Sequence, residues 1–119
     1  MACVWLGLIG ALNLRQMQPV DLLNHVKANN CQTVDVVWND QKLSDKAMTE
    51  NIARINEVDP KQILGGYDCS GCDPLLLLIA QLYGVTIIHK LLNTEIVYKN
   101  LNHPDKIIRV YSDHRHFWN

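Results

Sequence analysis

The chain has 119 residues, with 11 lysines and arginines against 12 aspartates and glutamates, and 48% of it is hydrophobic. That is the size of one domain with enough apolar mass for one core, and we read residues 1–119 as a single domain. A formal net charge of −1 makes no case for nucleic acid or an anionic membrane, which call for a clustered basic excess. The apolar run at 2–14, broken by Asn13 and Arg15, is too short to cross a bilayer and lacks the basic start of a signal peptide. An intracellular protein, or a piece of a larger chain, is expected.

Residues 3–13 read as a helix that is apolar nearly all round, and such a helix is buried on several sides. Gly7 and Gly10 cost helix propensity, and their spacing suits the close approach of another backbone. After Pro19, Asp21 is expected to cap a short helix with Leu22, Leu23 and Val26 inside, stopping at Asn29-Asn30. TVDVVW at 33–38 alternates as a short strand, and Ser44 opens a helix to about Ile55. Pro60 suggests a helical turn at 60–64, ended by Gly65-Gly66.

DPLLLLIAQLYG at 73–84 is the clearest signal in the second half. Asp73 suits the N-cap and Pro74 the first helical position, and Gly84 closes the helix. VTIIHKL at 85–91 reads as a buried strand, with TEIVYK at 94–99 as its hairpin partner through Leu92-Asn93. A turn at 102–105 leads to a third strand, KIIRVYS at 106–112. Helices segregated from a mainly antiparallel C-terminal sheet predict an α+β fold.

The four cysteines are Cys3, Cys31, Cys69 and Cys72, too few for a disulfide scaffold, so reduced thiols are expected. A thiol in the first helical turn faces unpaired N–H groups and the positive end of the dipole, and both favour the nucleophilic thiolate. Such a nucleophile needs a general base, most often histidine. His25, His89, His103, His114 and His116 are the candidates, and the last two directly follow the third strand. CSGC at 69–72 has the spacing of a zinc half-site, which Cys31 with His103 or His25 would have to complete. No second clustered pair exists, and a loop leading to the Asp73 cap is the simpler reading. Trp5, Trp38 and Trp118 read as core or site-wall residues, with Trp118 placed to shield His116 from water.

Cys3-Val4-Trp5-Leu6 resembles the nucleophile segment of papain-like cysteine proteases. ILGGYDCSGCDPLLLLIAQLYGVTIIHKL, then IIRVYS and His116-Phe117, resembles the ovarian-tumour-type (OTU) deubiquitinases. The compact size looks most like the viral papain-like proteases of nidoviruses, of torovirus type. The resemblance covers residues 1–13 and 63–119 and leaves 14–62 unmatched. It implies a papain-like or OTU-like fold and a thiol protease acting without a cofactor or metal. Cys3 would be the nucleophile, His116 the base in preference to His114, and Asn119 or Asp113 the group orienting the imidazole. The family usually carries Asp-Gly shortly before the cysteine, where this sequence has Met1-Ala2.

The implied substrates are a viral polyprotein or chains ending in ubiquitin-like Gly-Gly tails. The implied setting is the host cytoplasm, as a monomer or within a polyprotein, with no nucleic acid partner and no membrane segment. Two other readings stand beside this one: an inactive module that binds a ubiquitin-like protein, and a zinc-stabilised structural domain.

Overall fold

The computed structural model describes residues 3–61, 67, 69–113 and 116–119. The expected helical turn at 60–64, most of it, and Gly65-Gly66 lie outside the described residues, as does His114.

The described residues form four helices and a six-stranded mixed sheet, an α+β arrangement. Helix α1 spans Cys3–Ala11. It ends in a Schellman motif: Asn13 takes a positive φ of 55°, its N–H bonds the Gly10 carbonyl, and the Leu14 N–H bonds that of Ile9. Helix α2 is Pro19–Ala28. Its N-cap is Gln18 rather than Asp21. Pro19 takes the first helical position, which leaves Asp21 inside the first turn, where it accepts the Gln18 N–H at 3.0 Å. Helix α3, Asp45–Asn56, is capped as expected by Ser44, whose hydroxyl accepts the Ala47 N–H at 3.1 Å.

Helix α4, Pro74–Tyr83, is the hub of the core. Leu75, Leu76, Leu77, Leu78 and Ile79 are all buried, as five consecutive apolar residues require when other elements surround a helix. Each such side chain removed from water contributes about 2 kcal/mol. Polar ties fix the helix in place. Gln81 accepts the Asp35 N–H and donates to its carboxylate, both at 2.9 Å, and Asn100 donates to the Ala80 carbonyl at 3.0 Å. Gly84 ends the helix in the left-handed region, at φ 61°.

The strands are β1 (Val36–Trp38), β2 (Gln41–Lys42), β3 (Thr86–Leu91), β4 (Thr94–Asn100), β5 (Ile107–Ser112) and β6 (Phe117–Trp118), in the order β2-β1-β4-β3-β5-β6. β3 and β4 form the expected hairpin, with His89 opposite Ile96. The third strand departs from expectation: β5 pairs with β3 in parallel, His89 opposite Val110. A parallel pair needs the chain to be carried back to its starting end. β4 does this, so the short 101–106 segment enters β5 on the free side of β3. β1 joins the other edge against β4, and the two-residue strands β2 and β6 escaped the sequence reading.

The sheet is covered on one face. Ile87, Ile96, Tyr98, Val110 and Phe117 point into the same buried cluster as Val4, Trp5, Leu8 and the leucines of α4. The radius of gyration, 13.1 Å, is what about 120 residues packed as one body should give. No described helix is long and apolar enough to cross a membrane.

Candidate functional site

Cys3 is the first residue of α1 and is half-buried. Its neighbours Val4 and Trp5 are 1% exposed, so the start of the helix is anchored in the core while the thiol stays at its margin. Trp5 packs edge-on against Tyr67, with ring centroids 6.1 Å apart.

The two glycines of α1 decide what lies beside it. A β-carbon on Gly7 would stand 2.5 Å from Phe117 Cδ1 and 3.6 Å from the Trp118 Cα. One on Gly10 would stand 2.9 Å from Asn119 Oδ1. The approach expected from the glycine spacing is therefore made by the end of the chain, chiefly by side chains. Phe117 faces Gly7 and Asn119 faces Gly10, so β6 and α1 run in the same sense. His116, immediately before β6, is thereby set toward the Cys3 end of the helix. Cys3 is one turn before Gly7, about 6 Å along the axis.

His116 is held by the turn that joins β5 to β6. Its N–H donates to Asp113 Oδ1 at 2.7 Å, and its carbonyl accepts the Asp113 N–H at 3.0 Å. The imidazole Nδ1 lies 3.6 Å from the same carboxylate oxygen, with the histidine side chain 62% exposed. Of the two groups considered for orienting the imidazole, Asp113 is beside the ring. Asn119 stands over Gly10, about 10 Å along the helix axis from Cys3.

The other described histidines do different work. His25 is on the exposed side of α2, near Asn29 and tilted against Tyr83. His103 lies against Gly84 in the turn before β5. His89 lies within β3 and is wholly buried, its Nε2 2.6 Å from Ser112 Oγ and its ring tilted on Phe117 at 5.8 Å. Burial lowers its pKa. The His89–Ser112 pair was not foreseen, although the alternation of TIIHKL does put His89 on the same face as Ile87 and Leu91.

No disulfide joins any of the four cysteines. Burial pushes the thiols of Cys31 and Cys72 up, and the nearby Asp73 charge adds to this at Cys72. The CSGC segment leads into the Asp73 cap. Among the described residues no group of three or more His, Cys, Asp and Glu side chains is placed to hold a metal ion. Trp38 donates its indole N–H to the Gly71 carbonyl at 2.9 Å, which ties this loop to β1. Trp118 stacks on Tyr111, with centroids 6.0 Å apart and planes 17° apart.

Set against known proteins, the chain matches no family model, no curated protein and no solved structure.

Proposed function

We propose that the protein is a cysteine-type peptidase with Cys3 as nucleophile and His116 as general base, built on a papain-like or OTU-like plan. The observation that carries the reading is the common direction of α1 and β6, by which the backbone at His116 lies nearer the Cys3 end of a buried helix than the Ala11 end, together with the carboxylate of Asp113 3.6 Å from the imidazole Nδ1. Asp113, rather than Asn119, takes the orienting role.

In this reading His116 draws the proton from Cys3, and the sulfur attacks a peptide or isopeptide carbonyl. The Cys3 backbone N–H, which has no acceptor within its own helix, faces the developing oxyanion. The C–N bond breaks as His116 protonates the amine, leaving a thioester. Water, deprotonated by His116, then attacks that carbon, and the C–S bond breaks to return the thiolate. The sequence resemblance adds the substrate class: polyprotein segments and ubiquitin-like Gly-Gly tails.

Hydrolysis of a ubiquitin C-terminal fluorophore amide, with an electrophilic ubiquitin probe in parallel, tests this. Cys3→Ala should abolish turnover and the covalent adduct. His116→Ala should slow turnover by about 100-fold or more, and Asp113→Ala should slow it by more than Asn119→Ala does. Turnover that survives Cys3→Ala refutes the assignment. A tight but non-covalent complex with the probe would instead mean an inactive binding module.

A further inference from the structure

The face of the sheet turned away from the helices is unpartnered among the described residues, and its charge differs from that of the rest of the molecule. It is built by the alternate residues of the same strands. Lys42, Lys99, Lys90 and Arg109 project there, against the single carboxylate of Glu95, which is paired across the strands with Lys90. Setting these four and one aside leaves seven cations against eleven acids elsewhere. An excess of three positive charges therefore sits on one face of a chain whose total is −1.

The same face carries the stacked Tyr111–Trp118 pair, and Trp118 is 46% exposed. Arg109 is one strand and one pleat repeat from Trp118, about 8 Å away. Between the cations the sheet is lined by Val97 and Ile88, which face each other across β3 and β4 and are half-buried.

We infer that this open face binds single-stranded nucleic acid. An exposed indole offers a planar surface to a base, and cations one step away meet the flanking phosphates; together they make the usual sequence-tolerant site for a single strand. A second copy of the chain would set cation against cation. A duplex offers grooves that admit a helix or a narrow ribbon, not a flat sheet. A lipid surface would need a broad patch of protruding apolar groups, whereas Val97 and Ile88 are half-buried and the exposed Ile107, next to Arg109 on this face, stands at the far end of β5 from Trp118.

The test is the fluorescence anisotropy of a short labelled oligouridine titrated with the whole chain, with tryptophan quenching recorded alongside. Binding tighter than about 100 μM at about 50 mM salt is expected, with log K falling against log salt at a slope of about −2 for three phosphates met. The Lys99→Glu/Arg109→Glu double variant should weaken it at least about tenfold. Trp118→Leu should weaken it about 5- to 100-fold, the range of one base–aromatic stack. Circular dichroism checks the fold of both. If Trp118→Leu fails to fold, the quenching and the charge variant still decide the matter. The inference is overturned by absence of saturable binding, by equal binding to the double variant, or by polyglutamate or anionic vesicles binding as tightly as the oligonucleotide.

Discussion

The Asp73 carboxylate is wholly buried and serves two structures at once. Its Oδ1 accepts the Leu75 N–H at 2.9 Å as the N-cap of α4 and the Tyr67 hydroxyl at 2.8 Å, while Oδ2 accepts the Ser70 N–H at 2.8 Å. The Asp73 N–H in turn donates to the Tyr98 hydroxyl at 3.0 Å. Burial pushes the carboxyl up from its ordinary range, and the donors from Ser70, Tyr67, Leu75 and Leu76 work against that. Asp73→Ala removes a cap and strands several buried donors, so a loss of about 3 kcal/mol is expected in urea unfolding. Asp73→Asn, which keeps an acceptor, should lose less. His89 supplies a dependence on pH. Its Nδ1 is buried with no hydrogen-bond partner among the described residues, and burial holds its folded pKa below the ordinary 6.5. Below 6.5 the unfolded chain therefore binds the proton more readily than the folded one. This contribution is complete above 6.5 and is lost as pH falls toward the folded pKa. The urea midpoint should drop as pH falls below about 6.5, and His89→Leu should flatten that drop.

At the scale of elements, the contact between α1 and β6 packs the two ends of the described chain against each other. Its fit depends on a missing side chain. Gly7→Ala would place a methyl group 2.5 Å from the Phe117 ring, which also rests on His89. The overpacking should cost about 1–3 kcal/mol, offset in part by the better helix propensity of alanine. Because the displaced ring is next to His116, alkylation of Cys3 by iodoacetamide at neutral pH should slow as well. Peptide mapping separates Cys3 from Cys31 and Cys72, whose raised pKa values make them poor competitors. An unchanged midpoint and unchanged labelling in Gly7→Ala would mean that β6 does not lean on the helix as described. The glycine spacing in 2–14 announced a close approach. It named no partner, because a two-residue strand has no periodicity to detect.

Across the whole molecule, local signals carried the elements whose determinants lie within a few residues. The Asp73-Pro74 start and Gly84 stop of α4, the Ser44 cap of α3 and the β3–β4 hairpin were legible because capping and turn chemistry act at short range. The α2 start was misplaced by a few residues because Asp21 is as good a partner inside the first turn as it is at the cap. The parallel pairing of β3 with β5 depends on which side of β3 the chain enters after residue 106, and no local pattern encodes that side. The sequence by itself determined the helical and extended segments, the apolar residues that form the core and the residue types available for chemistry at Cys3 and His116. Only the tertiary structure decided that β6 runs along α1 in the same sense, that Asp113 sits at the imidazole, and that four cations share the open face of the sheet. Net charge averages over every surface, and the direction of one element against another is set by contacts between residues far apart in the chain.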